Sequence, residues 1–300
     1  MLHSLPSHDQ GITAAALGLD AAPASLSSNG SSSNGAAVVD AMPTLVGGRR
    51  RAAAPPLTQM GVLVSVVIPA LNEAENLPYV FARLPRGLHE VIIVDGHSTD
   101  ATVAVARRLR PGVRVLTQTG RGKGNALSTA FDACTGDIVV TLDADGSTDP
   151  AEIPRFVAAL CAGADFVKGS RFAQGGASSD ITRTRRLGNR ALNTLVNRLY
   201  RTSFTDLCYG YNAFWAHCLP YMRVDCDGFE VETLVNVRAA KAGLVIHEVP
   251  SFERDRLSGA SNLRAVRDGS RVLLTIVRER ISAASWRYLI VQRRRGGHAE

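Results

Sequence analysis

A run of aliphatic residues ending in two carboxylates, IVVTLDADGSTDP from Ile138 to Pro150, constrains this chain more than any other stretch. Ile138 to Leu142 has the length and β-branched composition of a strand buried in a parallel sheet. Asp143 and Asp145 follow at its C-terminal end, where open α/β sheets collect their ligands. One residue separates them, so near-extended backbone turns both side chains to the same side. Two hard oxygens there suit Mg²⁺ or Mn²⁺. The same Asp-x-Asp-Gly pattern is also ordinary turn chemistry, in which Asp accepts backbone hydrogen bonds. The rest of the chain has to decide between the two.

With 300 residues, 45% of them hydrophobic and 20% charged, the chain can bury one sizeable core. Residues 1–60 are set apart. They are rich in Ser, Ala, Gly and Asn and lack periodicity, which predicts a disordered segment before a domain over 61–277. A secretory signal is not expected, because the first residues have neither a basic start nor a continuous apolar run. Five scattered cysteines with no C-x-x-C spacing suggest a reduced, cytoplasmic protein. No apolar run reaches the roughly 18 residues that span a bilayer. The net charge of +7 is carried nearly all by arginine and comes with no nucleic-acid module, so the expected anionic partners are phosphates or a membrane surface rather than nucleic acid.

From Val62 the chain alternates strand and helix. VLVSVVIPALNEAENL is a buried strand halted at Pro69, with Asn72, Glu73 and Glu75 opening a helix. EVIIVDGHSTDAT again ends in acid, at Asp95, and Asp100 is positioned to cap the next helix. VRVLTQ leads into GRGKGNALSTAFDAC, where Gly120, Gly122 and Gly124 surround Arg121 and Lys123. This loop fits neither the dinucleotide fingerprint nor a P-loop, though its backbone N–H groups and Lys123 suit a phosphate. A plain turn is the competing reading. Together with Ile138–Leu142 these are four strands in βαβ succession, predicting an α/β fold with a mostly parallel central sheet flanked by helices.

Pro69 with Asn72-Glu73, Val94-Asp95 with Ser98 and Asp100, the glycine loop, and Asp143-Ala144-Asp145 occur in the order found in family 2 glycosyltransferases. The resemblance spans roughly Val62 to Asn262 and is closest to the polyprenyl-phosphate (dolichol-phosphate) sugar synthase branch. It implies a GT-A fold and a nucleotide-diphosphate sugar donor of the GDP-mannose or UDP-glucose type. It also implies that Asp95 contacts the nucleoside, that Pro69, Leu71, Asn72, Glu73 and Ala144 line the donor site, and that Asp143 and Asp145 hold Mg²⁺ or Mn²⁺. Lys123, Arg171 and Arg256 are expected on the diphosphate.

In the second half, DFVKGSRF reads as a further strand delivering Arg171. The helix that follows sets Leu187, Ala191, Leu195 and Leu199, with Leu192 and Val196, along one stripe, leaving Arg186, Arg190, Asn193 and Asn197 outside it. Such a basic amphipathic helix either lies on an anionic membrane or packs on the domain with a solvated arginine face. In TDLCYGYNAFW, Asp206 resembles the family's acceptor-side segment. Glu230 and Glu232 open another helix, where acids favour the dipole; for Glu230 this is the preferred role, whereas Glu232 resembles a functional acid. Near the end, Arg256 matches a family arginine, but the lysine expected six residues later is Asn262, leaving Arg254 or Lys123 to substitute. Residues 278–300 form a basic tail with Trp286 and Tyr288, suited to interfacial anchoring.

The implied chemistry is inverting transfer to a polyprenyl phosphate, with Asp145, Asp206, Glu232 and Arg171 as the catalytic candidates. A phosphate acceptor is already anionic near neutrality and needs no base. A hydroxyl acceptor would need one, with Asp206 or Glu232 as the carboxylate. A catalytically silent nucleotide-sugar binder is the third reading, motivated by Asn262.

Overall fold

A computed structural model describes residues 54–259 and 264–282. A seven-stranded sheet runs in the order β3-β2-β1-β4-β7-β5-β8. The strands are β1 (Val64–Ala70), β2 (Glu90–Asp95), β3 (Arg114–Thr117), β4 (Ile138–Thr141), β5 (Phe166–Ser170), β7 (Asn212–Trp215) and β8 (Ile246–Pro250). The four strands of the N-terminal half are mutually parallel: β1 lies between β2 and β4, with Val66 level with both Val91 and Val140. β7 inserts antiparallel between β4 and β5, and β8 closes the edge parallel to β5. A two-stranded ladder pairs β6 (Ala177–Ser178) with β9 (Phe252–Glu253).

The period of two along each strand sorts the core into two layers. Val64, Val66, Ile68, Val91, Ile93 and Val140 face α1 (Leu77–Arg83), α2 (Thr102–Leu109) and α4 (Ile153–Cys161), meeting Leu77, Val105, Phe156 and Leu160. Val67, Ile92, Val94, Val139 and Phe214 face the other way, onto Leu127 and Ala130 of α3 (Gly122–Phe131) and Val235 and Ala239 of α6 (Val231–Lys241). Helices therefore cover both faces, and all β1, β2 and β4 strand tops open at one edge of the sheet.

Helix α5 (Arg183–Tyr200) overturns the expected stripe. Leu187 and Ala191 are exposed, whereas Asn189 and Asn193 are buried with Val196. The three asparagines, four residues apart on one helical face, bind the segment that follows. Asn189 Nδ2 donates to Asp206 Oδ1 at 3.0 Å, Asn193 Oδ1 accepts from the Leu207 N–H at 2.8 Å, and Asn197 Oδ1 accepts from the Phe204 N–H at 2.8 Å. Backbone groups of an irregular segment need partners when buried, and amides supply donor and acceptor together where leucine supplies neither.

α7 (Ala265–Ile281) carries the chain past the expected boundary at 277. Glu279 is buried against α6, accepting from Lys241 Nζ at 2.9 Å and Arg238 Nη2 at 2.7 Å, so the first residues of the supposed tail belong to the domain. The expectations for residues 1–53, for Asn262 and for the tail beyond 282 lie outside the described residues. Among the described residues no helix is long and apolar enough to cross a membrane.

Candidate active site

The strand tops open into a cleft of about 940 Å³, and six of its ionic side chains form two bridges, each tying one aspartate of the pair to a glutamate. On one side Lys123, from the first turn of α3, lies 2.5 Å from Asp143 Oδ1 and 2.7 Å from Glu232 Oε1. Burial opposes a charge on Lys123, but Asp143 and Glu232 outweigh it and hold its pKa above the usual lysine value. On the other side Arg256 reaches Asp145 Oδ2 at 3.1 Å and Glu73 Oε1 at 2.9 Å. Glu73 is also bound by Asn76 Nδ2 at 2.5 Å; its burial nonetheless raises its pKa. Asp145 Oδ1 accepts from the Ser147 N–H at 3.0 Å, so Asp145 makes the bond of an ordinary Asp turn while lining the cleft.

The donor set fits a hard divalent cation. Asp143 and Asp145 retain side-chain exposures of 31% and 17% at the cleft wall. Space beside them is kept by Gly210, where a Cβ would approach Lys123 Nζ to 2.6 Å, Glu232 Oε1 to 2.8 Å and Asp143 Oδ2 to 3.2 Å. Gly210, between two tyrosines in a segment chosen for Asp206, carries no sequence signal of that role.

Two glycines of the loop serve a close backbone contact. A Cβ on Gly122 would come within 2.1 Å of the Asp227 carbonyl oxygen, and one on Gly124 within 2.1 Å of the Cys226 carbonyl oxygen. The Gly124 N–H donates to Asp227 O at 2.8 Å. These glycines let α3 press against the backbone before α6, and that contact brings Lys123 to Glu232. Only Lys123 of the loop's expected phosphate contacts points between the acids.

Arg171 and Asp206 correct the sequence expectation most sharply. Arg171 lines the cleft but keeps only 4% side-chain exposure. Its Nε donates to Asp206 Oδ2 at 2.6 Å, its Nη2 to Asp206 Oδ1 at 2.8 Å and its Nη1 to Glu253 Oε1 at 3.0 Å. The Tyr209 ring lies 4.9 Å beneath the guanidinium. Asp206 is fully buried and also accepts from Asn189. Burial works to raise its pKa, but Arg171 prevails and holds the carboxyl below the usual range. A carboxylate with its lone pairs so occupied is not placed to take a proton from an acceptor, and Arg171 is not a free cation for a diphosphate. Both act by positioning β5, α5 and β9 around the cleft.

The remaining candidates divide. Pro69, Leu71 and Ala144 line the cleft. Asn72, in left-handed backbone at φ 58°, instead ties two loops together: its N–H donates to Ser98 Oγ at 2.9 Å and its Oδ1 accepts from the Thr99 N–H at 2.8 Å. The Asp95 carboxylate caps its own loop through the Ser98 N–H at 3.2 Å. Arg254 pairs with Asp149 at 3.8 Å, away from the carboxylate pair. Glu230 takes the cap position of α6, where its Oε1 accepts from the Gly228 N–H at 3.2 Å. Sequence reasoning missed Arg185, Arg264, Arg267 and Arg271, which line the cleft from α5 and the start of α7. Their clustering depends on the packing of two distant helices.

Comparison with known proteins agrees with this architecture. The model of the family described as "Glycosyl transferase family 2" matches residues 65–219. Glycosyltransferase AglJ of Haloferax volcanii is 34% identical over 218 residues, covering 72% of this chain and 71% of AglJ. Polyprenol monophosphomannose synthase of Mycolicibacterium smegmatis is 32% identical over 211 residues, covering 66% of this chain and 80% of the synthase. Glucosyl-3-phosphoglycerate synthase from Mycobacterium tuberculosis, crystallised with UDP, matches with a TM-score of 0.61 at 25% identity, covering 78% of this chain and 86% of that one. The parallel strand tops, the acid pair just after β4 and these matches lead to one conclusion: the chain is a GT-A glycosyltransferase and belongs to glycosyl transferase family 2.

Proposed function

We propose that this enzyme transfers a hexose, with inversion, from a nucleoside-diphosphate sugar to a polyprenyl monophosphate. The observation that carries the acceptor class is the set of Arg264, Arg267 and Arg271 lining the cleft from the start of α7, with Arg185 of α5 paired to Asp180 at 2.9 Å beside them. The three guanidiniums from α7 suit a phosphate that keeps a charge near −2 at neutral pH. The name of the mycobacterial synthase supports the lipid-phosphate class, and the UDP complex of the solved relative supports a nucleotide donor.

Asp143 and Asp145 are the residues that would hold Mg²⁺ or Mn²⁺, which when bound supplies charge neutralisation to a departing diphosphate. Lys123 and Arg256 each bridge two acids in the cleft. Transferring those cations onto donor phosphates exchanges one set of ion pairs for another, so little charge has to be stranded. Glu232, gripped by Lys123 and by Asn212 Nδ2 at 3.3 Å, orients Lys123 rather than removing a proton. No base is demanded of the protein when the acceptor oxygen is already anionic.

The exposed face of α7, with Leu274, Val277 and Ile281 at helical spacing, supports peripheral contact with the membrane that holds such a lipid. The test is transfer of labelled sugar from GDP-mannose and, separately, UDP-glucose to a short polyprenyl phosphate with Mn²⁺. Label is expected in the organic phase from one donor. With Glu232→Gln, transfer to the phosphate acceptor should fall less than about tenfold, well short of the 10²–10⁴ associated with losing a general base. A larger loss with donor binding intact would move the reading to a hydroxyl acceptor, and donor binding without transfer to either class would indicate a silent binder.

A further inference from the structure

Lys168 is the central residue of β5, and it is fully buried. A buried ammonium is unfavourable unless its charge and its three donors are answered nearby. Among the described residues it forms no salt bridge; Nζ donates instead to the Tyr209 carbonyl at 2.6 Å and to Asn212 Oδ1 at 3.4 Å. Burial lowers its pKa from the usual lysine value, and Asp206, Glu232 and Glu248, with the Cys208 thiol, act against that from farther away. Methionine would fill the same strand position without a charge to bury. The ammonium therefore calls for a role of its own.

Its contacts lead to the cleft. Lys168 and Asn212 stand opposite each other on the β5–β7 ladder. An ammonium only donates and a carboxylate only accepts, so the Asn212 amide has one orientation, with Oδ1 toward Lys168 and Nδ2 toward Glu232 Oε2 at 3.3 Å. The other oxygen of Glu232 holds Lys123 at 2.7 Å, and Lys123 reaches Asp143 at 2.5 Å. Donors and acceptors thus alternate from the buried strand to the acid pair. The adjoining backbone is held as well: Lys168 takes the Tyr209 carbonyl, and Thr141 Oγ1 donates to the Gly210 carbonyl at 3.1 Å, fixing the glycine that leaves room for Lys123 and Glu232. In charge, Arg171 answers only one of Asp206 and Glu253, and Lys168 adds the second cation on that side.

Resting on the nucleotide-sugar reading above and on Glu232 as the group that orients Lys123, we infer that Lys168 is a positioning residue for donor binding: it sets the Asn212 amide and the Tyr209–Gly210 backbone, and through them holds Glu232 and Lys123 in register with Asp143. It touches no substrate itself. The ammonium does this rather than the bulk of the side chain, so the effect follows its protonation. The neighbouring Lys123, Tyr209 and Cys208 do not confuse that signature, because all three are pushed upward, Cys208 to about 11.

The experiment is calorimetric titration of the full chain with GDP and with UDP in Mg²⁺, for the wild type and Lys168→Met, from about pH 7 to about pH 10. Dividing the variant's Kd by the wild type's at each pH cancels the titration of the nucleotide. For the tighter nucleotide the ratio should be about threefold to fivefold near neutrality. It should fall toward one as pH rises, because the wild-type ammonium then gives up its proton. Asn212→Leu should weaken binding to a similar extent, and adding Lys168→Met to it should cost less than about twofold more, since both act on one chain of contacts. A ratio that is constant with pH, a ratio of one at neutrality, or fully additive losses would each overturn the inference while leaving the donor reading intact. Glu232→Gln with unchanged nucleotide affinity would overturn the role given to Glu232 together with this inference, and a wild type that binds neither nucleotide would overturn the donor reading as well. If Lys168→Met does not fold, Lys168→Gln keeps a donor without the charge and is held to the same outcomes.

Discussion

Two ionic clusters face the same cleft and use the same residue types to opposite ends. Lys123 and Arg256 bridge Asp143, Glu232, Glu73 and Asp145 at the strand tops, where the two aspartates stay partly open. Arg171, Asp206, Glu253 and Asn189 lie sealed beside them, each guanidinium edge and carboxylate oxygen taken by a neighbour within the protein. An arginine in a cleft wall is thus not by itself a ligand contact. What distinguishes the two clusters is how many donors and acceptors remain once internal partners are served.

The largest expected effect breaks the sealed cluster. Asp206→Ala leaves Arg171 buried with half its partners gone, and removal of one member of a buried pair costs about 3–5 kcal/mol. Thermal unfolding of the variant should begin about 10 °C lower. If it melts like the wild type yet loses transfer, Asp206 belongs with the open cluster after all.

At the open cluster the pattern should reverse. Asp145→Asn is predicted to lower kcat by about 10²–10³, the scale of losing one group that meets developing charge, with a melting temperature within about 2 °C of wild type. Mn²⁺ titration followed by calorimetry or spin resonance should weaken in parallel; unaltered Mn²⁺ affinity would show that the acid pair is not the metal site.

A smaller effect sharpens the comparison through the asparagine ladder that supports the sealed side. Asn193→Leu makes this face of α5 apolar, but strands the Leu207 N–H and the Thr205 carbonyl. Loss of about 1–3 kcal/mol in denaturant unfolding is expected, and a gain in stability would show that α5 prefers an apolar face there.

The smallest effect is a control far from both clusters. Burial opposes the charge on Glu90, yet bonds from Ser65, Thr135 and Arg114 bring its pKa down from 4.5 to about 2. Because the folded value is the lower one, the contribution is complete above about 4.5 and lost as pH falls toward about 2. Glu90→Gln should therefore be less stable at pH 7 and decline less steeply in acid, without changing transfer. An unaltered acid limb in unfolding curves would refute that assignment.

The N-terminal half was readable because its chemistry is local: strand, acid pair and turn lie within a few residues, so Asp143, Asp145, Pro69 and Glu73 arrive at one edge once βαβ succession is recognised. Asn72 shows the limit even there, since loop-to-loop pairing with Ser98 and Thr99 across 26 and 27 residues took it out of the cleft. In the second half the decisive partners are farther apart. Arg171 meets Asp206 across 35 residues and Glu253 across 82, and β7 runs antiparallel where parallel succession was the pattern. The sequence by itself determined the sheet, its ligand-collecting edge and the acid pair, through hydrophobic periodicity and short-range spacing. Tertiary structure alone decided which charges remain open and which asparagines are buried, because hydrogen-bond saturation is a property of the packed neighbourhood and not of the residue.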